Sequence, residues 1–283
     1  MPRPVRPIPP RFAAAAALLA LAVGVTGCDR EAAPAAATDA GGAPTYVPGG
    51  ALVVTAAGTA TARAGAPVAG RVRLDGPVPT MKPIDVTGVA DCARRHGRPP
   101  REESVVATAE GHLKNAVVYV SAGLDAAARG PAPAGAPAAV LDQVGCVYVP
   151  HIVALRTGQR LTIKNTDATV HNAHATPSAN PAFNAQFTTG DSTRTLTFAT
   201  PEIFRVKCDV HPWMQSFTAV FDHGFFAVTD EAGRFELPGL PAGQYTLTCW
   251  QERLGRIEQK LEVTAAGGAS PEGGLMFTYK APE

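Results

Sequence analysis

The 283-residue chain is poor in charge and in aromatic side chains, at 17% and 6%, and its formal net charge is only +1. Low charge together with 46% hydrophobic residues excludes a chain that is disordered over most of its length, because a core can close. Arg3, Arg6 and Arg11 stand ahead of residue 28 with no acid among them, so the remainder carries 22 basic against 24 acidic side chains. Without a basic surplus, nucleic acid is excluded as the main partner. Long segments of helical period are also missing, which removes coiled coils and bundles. Glycine and proline are instead plentiful, 28 and 26 residues, without the every-third-glycine repeat of collagen. The composition points to turn-rich β structure.

The apolar run at residues 12–25 is, at about 14 residues, too short for a comfortable membrane span. It follows the arginine flank and ends in Val25-Thr26-Gly27-Cys28. Residues 1–27 therefore read as an export signal. The last four residues resemble a bacterial lipobox, which implies that Cys28 is acylated and holds the mature protein on the periplasmic side of a membrane. A plain signal that happens to contain a cysteine is the alternative. Residues 28–65, rich in Ala, Gly and Pro, are expected to form a flexible linker, and residues 126–139, with Pro131, Pro133 and Pro137, a surface loop or hinge. From Val68 onward, short apolar runs separated by turn signals predict strands at 68–74, 116–120, 146–149, 152–156, 160–165, 193–199, 203–208, 216–221, 224–229, 244–250 and 257–263. This is the pattern of an all-β sandwich or a pair of them, with a helical turn expected only near 124–129.

The chemistry concentrates in Cys208-Asp209-Val210-His211-Pro212-Trp213-Met214, between two predicted strands. A cysteine, a histidine and a methionine three residues apart on one tight loop can converge on one soft metal ion. Thiolate, imidazole and weak thioether suit copper that cycles between Cu(I) and Cu(II). Zinc would want a further thiolate or hard ligand in place of the methionine. A second imidazole is available in His171-Asn172-Ala173-His174. Side chains of an extended segment alternate between faces, so His171 and His174 cannot both point to the same ion.

These residues resemble the cupredoxins, most closely the plastocyanin and amicyanin branch, over about residues 143–222. The resemblance implies a Greek-key β-sandwich holding one type 1 copper ion, with His171, Cys208 and His211 as equatorial ligands and Met214 as the axial one. It implies that Asn172 pins the two ligand loops together, and that the edge of His211 faces solvent and passes electrons through a patch around Pro212 and Trp213. His174 is read as a surface histidine or a neighbour of the site, and His96, His112, His151 and His223 as ordinary histidines. The segment around Phe183 and Phe187 could be a hydrophobic plug beside the site.

Beyond Phe221 the pattern changes, and residues 223–283 resemble the carboxypeptidase-regulatory, transthyretin-like β-sandwich. Asp230 to Gly233 and Gly239 to Gly243 read as turns, with Phe235 and Leu237 alternating inward. Val68 to Gly76 looks like the opening strand of the same kind of module. Residues 66–142 are thus an N-terminal β region that either pairs with the C-terminal part or extends the copper-motif region.

Five cysteines remain to be placed. With Cys28 assigned to lipid and Cys208 to copper, and with Cys249 sharing an inward face with Tyr245 and Leu247, Cys92 and Cys146 are left to form a disulfide worth about 2–4 kcal/mol in an oxidising compartment. The resulting expectation is a membrane-tethered periplasmic carrier of single electrons, not an enzyme, whose partners are a redox-protein donor and acceptor. The alternative is a non-enzymatic copper storage, delivery or cell-envelope binding lipoprotein. A copper enzyme is disfavoured because no His-x-His pair is present to bind a catalytic copper.

Overall fold

Alternation along each strand decides which side chains meet. In the strand Val68–Asp75 the buried positions are Val68, Gly70, Val72 and Leu74, and in Leu161–Asn165 they are Leu161, Ile163 and Asn165. The computed structural model describes residues 59–63, 65–265 and 274–282. The expected export segment 1–27 and Cys28 lie outside the described residues. The fold is all-β; among the described residues, helical structure is limited to Ala90–Arg95 and a 3-10 turn at Ala126–Ala128.

Two sandwiches divide the strands. In the first, one sheet has the order Phe183–Phe187, His171–Ala175, Glu202–Lys207, Gln215–Phe221 and Ile152–Arg156. Its other sheet has the order Ser192–Leu196, Leu161–Asn165, Ala139–Val144 and Val147–Val149. The inner faces close on Leu141, Tyr148, Leu155, Leu161, Ile163, Phe187, Phe204 and Val206. The chain crosses repeatedly between the two sheets, with antiparallel neighbours such as His171–Ala175 and Phe183–Phe187 kept in one sheet, and Gln215–Phe221 lies parallel to Ile152–Arg156.

The second sandwich is assembled from both sides of the first in sequence. One sheet has the order Thr59–Arg63, Gly255–Thr264, Gly243–Gln251, Val117–Ala122 and Phe226–Val228, and the other Arg234–Leu237, Val68–Asp75 and Leu275–Lys280. Of the N-terminal β region 66–142, Val68–Asp75 and Val117–Ala122 therefore pair with the C-terminal part, whereas the strand that begins at Ala139 joins the first sandwich. Gly70 is required where Val68–Asp75 crosses the core: a Cβ there would lie 2.3 Å from the Leu275 carbonyl oxygen and 2.6 Å from the Phe235 ring. The turn ahead of Arg234–Leu237 is closed by the Asp230 carboxylate, which accepts the N–H groups of Ala232 and Arg234. Residues 59–63 correct the expected linker at 28–65, because they form an edge strand parallel to Gly255–Thr264.

A third apolar cluster welds the sandwiches: Val117, Phe226, Val228 and Trp250 of the second meet Ile152, Ile203, Phe217, Ala219 and Phe221 of the first. Phe217 meets Trp250 edge to face at 5.2 Å, and Phe221 stacks on Phe226 at 4.8 Å. Gly243–Gln251 and Gln215–Phe221 are covered on both faces, so that Thr246, Thr248, Ser216 and Thr218 are buried although both strands alternate apolar with polar residues.

His223 lies where the chain passes from the first sandwich to the second, 2% exposed, accepting the Phe225 N–H at Nδ1 (3.1 Å). Burial in this junction pushes its imidazole down to about 4. The unfolded chain takes up its proton near 6.5, so stability is intact above that pH and falls as pH drops towards 4. The gap corresponds to on the order of 3 kcal/mol. Denaturant midpoints are expected to fall across this window in the parent protein and to stay flatter in His223→Gln. An identical pH profile in the variant would place the proton uptake elsewhere.

Candidate metal centre

Strand pairing closes the loop that carries the two candidate sulfur ligands, Cys208 and Met214. Glu202–Lys207 runs antiparallel to Gln215–Phe221 with Lys207 opposite Gln215, so residues 208–214 form the hairpin connection. The Cys208 N–H donates to the Met214 carbonyl (3.1 Å), and the Met214 N–H to the His211 carbonyl (2.9 Å). These bonds bring the His211 N–H to 3.3 Å from Cys208 Sγ. On the other side of Glu202–Lys207 lies His171–Ala175, with His174 opposite Lys207, which delivers His171 to the same end of the sheet.

His171, Cys208 and His211 consequently place one donor atom each within 4.8 Å of one another, with Met214 buried on the same loop. The Nδ1 atoms of His171 and His211 face each other at 2.8 Å. Two ring nitrogens that close cannot both carry a proton, so one proton or one cation belongs between them. Burial pushes the Cys208 thiol up, but the His171 imidazole and the N–H groups of Asn172, His211 and Val210 outweigh it and hold the thiol below its ordinary value. Burial pulls His171 down, yet its hydrogen bonds to Asp167 and Cys208 hold it above the ordinary histidine value. Burial and then the facing His171 lower His211. A thiol inclined to ionise beside a neutral imidazole is a donor set that fits a soft cation.

Asn172 lies between the ligand segments: its N–H donates to Cys208 Sγ (3.5 Å), its side-chain carbonyl accepts the Asp209 N–H (2.6 Å) and its amide donates to the Asp209 carboxylate (3.1 Å). His174 turns away from the cluster and pairs with Asp209 at 2.7 Å. His151 pairs with Glu252, and His96 with the Gly145 carbonyl. Burial pushes the Cys249 thiol up to about 12 in the second core. Cys92 and Cys146 are joined in a disulfide that closes a sequence separation of 54. The segment read as a plug is the strand Phe183–Phe187, whose Asn184 accepts the Asn172 amide at 2.8 Å.

One expectation is corrected. The resemblance implies a solvent-exposed His211 edge, but His211 is 3% exposed. Cys92 of the helix Ala90–Arg95 lies over it, with Sγ 4.0 Å from Nε2, and the half-buried Trp213 ring lies 5.1 Å from the imidazole. Trp213 is held there by its own N–H, which donates to the Cys146 carbonyl at 3.0 Å. Pro212, on the same loop, is exposed.

Sequence reasoning missed Asp167 and Tyr148. The Asp167 carboxylate, 2% exposed, accepts His171 Nε2–H (2.9 Å) and the N–H groups of Gly145 (2.7 Å) and Cys146 (2.8 Å). This fixes the His171 tautomer so that Nδ1 faces the cluster. Tyr148 donates from the core to the carbonyls of Asn172 (2.5 Å) and Lys207 (3.2 Å), bracing both ligand strands from below. The available signal was a carboxylate four residues before a candidate ligand histidine, just past a strand end. Asp167→Asn is expected to weaken copper binding by about 10- to 100-fold in a chelator competition. Unchanged affinity would show that the carboxylate does not orient His171.

No family model matches the chain, and no curated protein does. Parts of it are similar to solved structures. A purple cupredoxin from Nitrosopumilus maritimus is 20% identical over 29% of this chain and 98% of its own, with a TM-score of 0.26. A Cu(I) form of an amicyanin variant is 19% identical over 36% of this chain and 97% of its own, at 0.27. A Cu-containing nitrite reductase from Thermus scotoductus is 21% identical over 35% of this chain and 27% of its own, at 0.28.

Proposed function

We propose that the chain is a blue copper protein that carries single electrons, tethered through Cys28 to the periplasmic face of a bacterial membrane. One observation carries the reading: a thiolate precursor and two imidazoles converge on one point, buried, with a methionine on the same loop. His171 Nδ1, Cys208 Sγ and His211 Nδ1 would hold the ion and Met214 would supply a weak thioether. Copper bound there supplies a one-electron couple.

The protein's own part is to keep the ligands still. The Asp167 bond to His171, the N–H groups aimed at Cys208 Sγ, and the Asn172 bridge between the two segments constrain each ligand from behind. Ligands fixed by bonds that do not involve the metal need little rearrangement on electron transfer. Burial of all four excludes water from the ion. Because His211 is covered, Trp213 would provide the path to a surface that includes Pro212 and the exposed Val210, which would meet a donor and an acceptor protein in brief, small encounters. In this reading the second, transthyretin-like sandwich serves as a mount between tether and site.

Cys208→Ser is expected to abolish visible colour with copper while the far-ultraviolet circular dichroism stays that of the parent. His171→Ala should do likewise and His174→Ala should not. Equal colour loss in both histidine variants would sink the ligand assignment. For the axial position, Met214→Gln offers a harder oxygen that favours Cu(II), so voltammetry should show colour retained in altered form and a lower reduction potential. An unchanged potential would remove Met214 from the ligand set.

A further inference from the structure

The two ring nitrogens of His211 face two different sets of donors. Nδ1 points at His171 Nδ1, 2.8 Å away, whereas Nε2 points at Cys92 Sγ, 4.0 Å away. Cys92, Cys146 and His211 place one donor atom each within 4.8 Å of one another, and all three residues are buried. The surrounding turn is held independently of the sulfur–sulfur bond: Asp167 accepts the Gly145 and Cys146 N–H groups, and Trp213 donates to the Cys146 carbonyl. A disulfide sulfur carries no charge and is a poor ligand. Two thiolates beside an imidazole are a strong set for a soft monovalent cation.

We propose that reduction of the Cys92–Cys146 disulfide opens a second metal site, made of Cys92 Sγ, Cys146 Sγ and His211 Nε2, that takes Cu(I). A dithiol reductant delivers two electrons and two protons: the Cys92–Cys146 bond breaks, two thiols form, and the dithiol closes to its own disulfide. Cu(I) then displaces the thiol protons to solvent, the usual exchange when a soft metal meets cysteine. If Nδ1 is already committed to the Cys208 set, Nε2 must also release its proton, so the two sets compete for one imidazole. The disulfide state thereby decides whether His211 serves one copper set or is shared between two. The proposal rests on the reading above only in treating Cys208 as the thiolate of the first set.

The test uses the full chain carrying Cys208→Ser, which removes that thiolate and leaves the second set intact. Oxidised protein is compared anaerobically with protein reduced by excess dithiothreitol and then desalted, each competing for Cu(I) against a chromogenic chelator. The reduced variant is expected to hold one Cu(I) at least about tenfold more tightly than the oxidised one, with new thiolate-to-Cu(I) ultraviolet absorption. Adding Cys92→Ser should abolish the difference. Equal affinity in the oxidised and reduced states, or tight binding that survives Cys92→Ser, would overturn the proposal. So would failure of dithiothreitol to expose two further alkylatable thiols while the near-ultraviolet circular dichroism remains native. Visible colour of the unaltered, oxidised protein with Cu(II) reports separately on the Cys208 set, so either reading can fail without the other.

Discussion

Asp167 carries a full charge into an environment that is almost closed to water. Removing a carboxylate from water costs several kcal/mol, and the cost is offset only where donors converge on both oxygens. Here they come from three places: the Gly145–Cys146 turn, His171 at the start of a strand, and, at 3.7 Å, the guanidinium of Arg95 at the end of the short helix; the Asp167 N–H in turn donates to the Asn165 side chain at the end of Leu161–Asn165. Burial pushes the Asp167 carboxyl up, but these partners outweigh it and hold it below the ordinary carboxylate value. Misplacing any of these elements would strip a partner from a buried anion. The metal cluster, the disulfide and the covering helix are therefore positioned by one constraint.

The rest of the molecule supplies stiffness around that point. Tyr148 and Asn172 brace the ligand strands, and the face of the site-bearing sheet turned away from its own core is packed with aromatic side chains against the second sandwich. The candidate ligands sit at one end of a sandwich whose outer face cannot shear freely. A site so constrained differs from one on a mobile loop, because its hydrogen bonds do not depend on an ion.

What was legible in the sequence was local. Cys208, His211 and Met214 lie within one hairpin connection, so their spacing alone announces convergence, and parity along an extended segment separates His171 from His174. Strands with a clear turn on either side, such as Ile152–Arg156 and Leu161–Asn165, are visible as apolar runs. What was not legible depends on partners remote in the chain. The strand Phe183–Phe187 turns polar Asn184 and Gln186 outward and hides its alternation within a loop-like stretch. The helix Ala90–Arg95 is too short to show a period, yet it carries Cys92 onto His211 and reverses the expected exposure of that residue. Asp167 acquires its role only when residues 95, 145, 146 and 171 arrive beside it.

The pairing of Val68–Asp75 with Leu275–Lys280 sets an order of events during synthesis. When residues 139–221 have been made, the second sandwich still lacks Phe226–Val228, Arg234–Leu237, Gly243–Gln251, Gly255–Thr264 and Leu275–Lys280, all encoded downstream. Domains generally fold as units from the N-terminal side as they appear. Residues 139–221 can thus close their own core while residues 68–122 wait, with Val72, Leu74, Val118 and Val120 uncovered. The nested connectivity makes the copper-motif half the early folder and leaves its host exposed to mispairing until the last strand arrives.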